Sequence, residues 1–162
     1  MWLYDLLMVE PHGGSNPSSD GPAVILATVD GSPTASRAVA WAGGMARRQH
    51  ARLVCLYIAS HYSGLARFAV ASSGADVPLD LDKDELAKEI FADLRVQTNR
   101  HNIDAEFVIR SGDPASEIQQ FVDELKPDMV VVGASMKAGH RLVGSVAIRL
   151  VKSAGCPVTV VP

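Results

Sequence analysis

The sequence predicts an α/β fold: a three-layer α/β/α sandwich on a five-stranded, mostly parallel sheet with strand order 3-2-1-4-5. Three observations carry that expectation. Short continuous apolar runs rich in Val and Ile recur, as in "AVILATV" (23–29), "ARLVCLYIA" (51–59) and "DMVVVGA" (128–134). Such runs fit strands buried on both faces, as in a parallel sheet covered by helices. Between them lie segments with helical periodicity and helix-start residues. The two kinds of segment alternate as βαβαβαβαβ with no internal repeat, and right-handed crossovers then place helices on both faces of the sheet.

The first strand, 23–29, runs into "DGSPTASRAVAWAGGMARR". Ser32 suits the N-cap and Pro33 the first helical position. Ala35, Val39, Ala42 and Ala46 then fall on one face. Arg47, Arg48 and His50 lie at the C-terminal end, where the helix dipole favours cations. The second strand is 51–59. A connection of about twenty residues follows (60–80), long enough to be a lid or an interface element. "DKDELAKEIFADLRVQTNRHN" predicts a helix with acids crowded at its start. Leu86, Ile90 and Leu94 form its stripe, and Asn102 suits a left-handed end. "AEFVIRSG" (105–112) is the third strand. Asp113 caps the next helix, Pro114 sits in its first turn, and Ile118, Val122 and Leu125 face inward. Pro127 follows its end. The fourth strand (128–134), a helix over 145–155 and a final strand over 156–162 complete the set.

Composition excludes several classes. The 162 residues suit one domain with an ordinary core, 23–162, preceded by an arm and linker, 1–22. A formal net charge of −3 gives no reason to expect nucleic acid or an acidic membrane as partner. The longest apolar runs are strand-sized, far below the ~20 residues of a membrane span. The start, "MWLYDLLMVE", has no basic region and is interrupted by Asp5, so no signal peptide is expected and a cytoplasmic location is. The linker "PHGGSNPSSDGP" consists largely of turn formers. Whether the decapeptide docks on the domain or a partner, or extends without structure, stays open. Cys55 and Cys156 sit in or beside strand-like runs and are expected as small hydrophobes. The predicted strand order separates them by three strand spacings, about 14 Å, too far for a disulfide. The five histidines form no metal-ligand spacing with them.

In open α/β sheets ligands bind beyond the carboxyl ends of the strands, where strand order reverses. Two segments meet there. In "TVDGSP" (28–33), Asp30 lies between the first strand and a helix start. It has two readings: a carboxylate for ribose hydroxyls, or a helix-start residue stabilised by the dipole. In "GASMKAGHRLVGS" (133–145), Gly133, Gly139 and Gly144-Ser145 mark a loop entering a helix, with Lys137, His140 and Arg141 adding positive charge. Free N–H groups and a hydroxyl there suit an anion. A plain connection that uses glycines for turning is the other reading.

Together "ILATVDGSPTASRAVAWA", "SGDPASEI", "DMVVVGAS" and "LVGSVAIRLVKSAGCPVTVVP" resemble the universal stress protein family over residues 23 to 162. The resemblance implies the five-stranded sheet, a homodimer often paired along the last strand, and, in the nucleotide-binding branch, ATP in the switch-point crevice between the first and fourth strands, with magnesium if the ligand is ATP. Position by position, it makes Asp30 the acidic residue near ribose and adenine, with Thr28 and Val29 as its neighbours. Ile58 is the residue whose backbone meets adenine. Val132 and Gly133 end the fourth strand, and Gly144, Ser145 and Val146 form the second half of the phosphate loop. The ATP-binding pattern resembles G-x2-G-x9-G-[ST]. Here Met136 stands at the second glycine, and seven residues, "KAGHRLV", separate it from Gly144. The chain is intermediate between the two branches, with Gly139 as a substitute turn. Two functions follow as expectations: a dimeric stress-response protein binding an adenine nucleotide, or a nucleotide-independent interaction or signalling module. Dedicated catalysis is not expected, since Ser145 has only His140 at a suggestive position for a base. Any hydrolysis of bound ATP would be slow.

Overall fold

The structure is a computed structural model and describes residues 21–59, 83–134 and 144–162, with side chains of the second helix from residue 87. In chain order the elements are β1 (Val24–Val29), α1 (Pro33–Gln49), β2 (Arg52–Ala59), α2 (Lys83–Arg100), β3 (Ala105–Ser111), α3 (Pro114–Leu125), β4 (Met129–Gly133), α4 (Ser145–Ser153) and β5 (Val158–Val161). The strands form one sheet in the order β3-β2-β1-β4-β5, and every pairing is parallel. This is the predicted α/β architecture and strand order.

The continuous apolar runs are explained by alternation between two buried faces. Ile25, Ala27 and Val29 of β1, with Leu53, Cys55 and Tyr57 of β2 and Val131 of β4, pack under α1 and α2. Leu26, Val54, Leu56, Val130 and Val132 point the other way, under α3 and α4, with Ile118, Val122, Ala147 and Leu150. Ile25, Leu26, Leu53 and Leu56 are wholly buried. Burial of each such side chain stabilises by about 1.5–3 kcal/mol.

The helix starts follow the local chemistry. The Ala35 N–H donates to Ser32 Oγ at 3.1 Å, and Pro33 opens α1. The Ser116 N–H donates to Asp113 Oδ2 at 3.0 Å at the start of α3. The expected inner face of α1 (Ala35, Val39, Ala42, Ala46) is buried. On α2 the buried line differs. It runs through Ala87, Phe91, Leu94 and Thr98, while Ile90 is half-buried and the side chain of Leu86 lies outside the described residues. The larger aromatic takes the inner position: Phe91 meets Tyr57 edge-on at 6.4 Å and Phe107 at 5.2 Å between centroids. Asn102 does adopt the left-handed region (φ 52°), and so do His50 and Lys126, which end α1 and α3.

Cys55 is fully buried, and burial pushes its thiol up to about 12. Both cysteines are free, on β2 and just before β5. No described helix is long and apolar enough to cross a membrane. Residues 1–20, the 60–82 connection and 135–143 lie outside the described residues.

Candidate functional site

A cleft of about 660 Å³ opens over the C-terminal ends of β1, β2 and β4, where the sheet order reverses. Thr28, Val29 and Asp30 line one side and Val132, Gly133 and Ala134 the other. The first turns of α1 (Ser32, Pro33, Thr34, Ala35, Arg37) and α4 (Gly144 to Ala147) form its rims. Leu56, Ile58, Pro114 and Ile118 form an apolar wall. Nine residues singled out from the sequence therefore meet in one cleft: Thr28, Val29, Asp30, Ile58, Val132, Gly133, Gly144, Ser145 and Val146. Gly139 lies outside the described residues, as do Met136, Lys137, His140 and Arg141.

The β1 side is internally bonded. Asp30 Oδ1 accepts from the Ser32 N–H at 2.8 Å, closing a turn over Gly31, whose φ of 79° suits glycine. Ser32 Oγ lies 3.0 Å from the buried Thr34 hydroxyl. Arg37 Nε donates to the Pro162 carbonyl at 2.8 Å, tying α1 to the end of β5. Strand register places Tyr57 beside Val29. Its hydroxyl is pushed above the usual tyrosine range, first by burial and then by the negative charge of Asp30.

Gly133 has a different reason from the one its loop suggests. A Cβ there would stand 2.7 Å from the Ala35 nitrogen and the Thr34 carbonyl carbon, and 2.9 Å from the Thr34 oxygen. The backbone of α1's first turn thus rests directly on the end of β4, and glycine is the residue that permits it. Gly144 also departs from the simple reading. Its φ of −63° is open to any residue, so no left-handed turn requires glycine there. What glycine does leave is a helix start with no capping side chain of its own. Among the described residues no side chain bonds to the start of α4, and its first internal bond is Ile148 N–H to the Gly144 carbonyl at 3.0 Å. The N–H groups of Ser145, Val146 and Ala147 have no acceptor among the described residues, and they carry the positive end of the helix dipole.

Sequence reasoning missed Thr34, Arg37, Pro114 and Ile118 as parts of the cleft. Arg37 lies one turn beyond Pro33 on α1, which could have pointed to it. Pro114 and Ile118 arrive from α3 under the sheet, and only the topology brings them there. Among the described residues no group of three or more His, Cys, Asp or Glu side chains converges to hold a metal ion.

A parallel sheet in this order, with a cleft where the order reverses, defines the doubly wound α/β class, whose switch point is the usual place for a ligand. The family model for the universal stress protein family matches residues 23–162, and the chain belongs to that family. A universal stress protein of Methanocaldococcus jannaschii is 30% identical over 141 residues, covering 85% of this chain and 80% of that protein. The solved universal stress protein UspA from Lactobacillus plantarum is 25% identical with a TM-score of 0.66, covering 86% of this chain and 97% of its own. A universal stress protein solved in complex with cAMP is 25% identical with a TM-score of 0.59, covering 88% of this chain and 98% of its own.

Proposed function

We propose that this protein is a stress-response protein that binds an adenine nucleotide, ATP or a relative such as cAMP, in the cleft between β1 and β4. The observation that carries this reading is the uncapped start of α4, opening on a cleft whose 660 Å³ lies within the range of small-molecule sites, ~300–1,000 Å³. The N–H groups of Ser145, Val146 and Ala147 and the Ser145 hydroxyl would meet phosphate. Leu56, Ile58 and Ile118 offer adenine an apolar wall. Asp30 keeps its second oxygen for ribose, with Thr28 and Val29 beside it and Val132 and Gly133 opposite. Gly139, in the segment between Ala134 and Gly144, belongs to the same proposed site. Magnesium, if ATP is the ligand, would be held largely by the phosphates, as is usual where few carboxylates are at hand. The solved relative in complex with cAMP shares this fold and supports an adenine nucleotide as the ligand class. The reading is one of binding, with hydrolysis no more than slow, in a cytoplasmic protein.

The same reading includes a homodimer through β5. This strand ends the sheet, and all four of its residues are half-buried. The carbonyls of Pro157, just before it, and of Val161 accept from the N–H groups of Val130 on β4 and Ala134 just past it, at 2.9 and 2.7 Å. Val158 and Val160 therefore direct their backbone groups outward, as an edge ready for a second strand. Ile148 and Val151 on neighbouring α4 are exposed.

One observation favours the alternative, a nucleotide-independent interaction module. Asp30 and Gly133 both serve the packing of α1, so neither needs a ligand to account for it. Calorimetry and thermal shift with ATP, ADP and cAMP decide between the two. Saturable binding and a raised melting temperature are expected. No change at millimolar ligand with folded protein would overturn nucleotide binding and leave the interaction module. Sedimentation tests the dimer separately, and a monomer at tens of micromolar would refute it.

A further inference from the structure

At the opposite end of the sheet from the cleft, the C-terminal halves of α1 and α2 leave a second cavity of about 210 Å³. Val39, Leu53, Leu94 and Ile103 make it apolar, and Arg47 and His101 stand at its edge. Two consecutive glycines keep its α1 wall low. Gly43 has a packing reason, because a Cβ there would press on Ile103 at 3.1 Å. Gly44 has none: its Cβ would meet only the movable end of Arg48 at 3.3 Å. Apart from proline, glycine is the poorest residue for a helix interior, so Gly44 costs the helix stability and leaves the groove open. The cavity is smaller than the ~300–1,000 Å³ typical of cofactor and drug-like sites. Its size suits one large aromatic side chain, the kind that anchors interfaces.

The chain carries such an anchor within reach. Residues 1–10, "MWLYDLLMVE", comprise eight apolar residues and two acids. The described chain begins at Gly21, which lies against the side chain of Gln49 at the end of α1. The arm therefore enters the domain at the end of the molecule where the groove lies. The ten residues 11–20 span about 33 Å fully extended and about 17 Å as a relaxed coil. Either exceeds the ~10 Å width of a helix. A tether of this length holds the decapeptide at roughly millimolar effective concentration. Charge also matches. Arg47 and Arg48 end α1 and Arg100 ends α2, and none of the three pairs with an acid among the described residues.

We propose that residues 1–10 fold back on their own subunit and cover this groove, with Trp2 filling the cavity and Asp5 and Glu10 set against the arginines at its edge. The inference is independent of nucleotide binding. Its test uses the full chain carrying Trp41→Phe, which leaves Trp2 as its sole tryptophan. Trp2 emission is expected to be blue-shifted relative to a synthetic peptide of residues 1–10, at all dilutions. Gly44→Leu, which fills the groove, should return the emission to that of the peptide. In amide spectra of the full chain, Trp2→Ala should move Gly43, Gly44 and Thr98. Peptide-like emission from the Trp41→Phe chain, or unmoved groove amides, would overturn the proposal. A blue shift lost on dilution would place the arm on another subunit and overturn it equally.

Discussion

The starts of α1 and α4 face each other across the cleft, and they differ in how their N–H groups are satisfied. At α1, Asp30 takes the Ser32 N–H, Ser32 takes the Ala35 N–H and Pro33 has none to offer, so the Thr34 N–H is the one left open there among the described residues. At α4, glycine stands in the cap position and three N–H groups stay open among the described residues. The start of α3, a third helix at this end of the sheet, resembles α1: Asp113 Oδ2 accepts from both the amide and the hydroxyl of Ser116. A helix start closed mostly by its own side chains has little left to offer an anion. The start of α4 has three open donors against one at α1, which is why α4 rather than α1 is the proposed phosphate-binding wall.

The largest effect tests the contact that brings the two starts together. Gly133→Ala puts a methyl group on the backbone of Thr34 and Ala35. It should destabilise the fold by about 1–3 kcal/mol, as overpacking does, in urea unfolding with or without nucleotide. An unchanged midpoint would mean that α1 does not rest on β4 as described. Next is Gly144→Asp, which gives α4 the cap it lacks and sets a negative charge where phosphate is proposed to lie. Calorimetry should show nucleotide affinity falling at least ~10-fold, about 1.4 kcal/mol, while stability rises by a few tenths of a kcal/mol at most. Unaltered affinity would remove α4 from the proposed site.

Asp30 distinguishes a local role from one toward ligand. Asp30→Ala removes the acceptor for the Ser32 N–H and should cost about 0.5–1.5 kcal/mol. Asp30→Asn keeps an acceptor and should cost less. Asn removes the charge, however, so the Tyr57 hydroxyl should titrate lower by ultraviolet absorbance while staying above its ordinary value, since burial is the larger cause. The smallest effect concerns Asp113. Bonds from the Ser116 hydroxyl and amide, and then Arg149 of α4 at 3.1 Å, hold its carboxyl below the usual range. A lowered folded pKa stabilises above the ordinary value near 3.8 and is lost as pH falls through the lowered one. Asp113→Asn should therefore lower the melting temperature slightly at neutral pH. The difference from the parent chain should shrink as pH drops below about 4.

Local signals were legible because their causes are local. Ser32-Pro33 and Asp113-Pro114 announce helix starts through bonds that reach three residues along the chain. The Val- and Ile-rich runs announce buried strands, and their alternation with helices announces a parallel sheet, though alternation alone equally allows the order 2-1-3-4-5. Position at the switch point then brought Thr28, Asp30, Ile58, Gly133 and Gly144 to one cleft. The α2 stripe was legible only in part, because Phe91 meets Tyr57 of β2 and Phe107 of β3 on the sheet face beneath the helix, partners the sequence does not mark.

By itself the sequence determined which segments are strands and helices, how two of the helix starts are closed, and that a cleft belongs at the ends of β1 and β4. Hydrogen bonds within a few residues and the alternation of buried side chains need no distant partner to be read. Tertiary structure alone decided that Gly133 serves the first turn of α1, nearly a hundred residues earlier in the chain, and that Arg37 grips the Pro162 carbonyl. It alone opened a groove beside Gly44 at the far end of the molecule. Each of these depends on where two remote segments cross, and that is set by the packing of whole layers and carries no mark in the residues nearby.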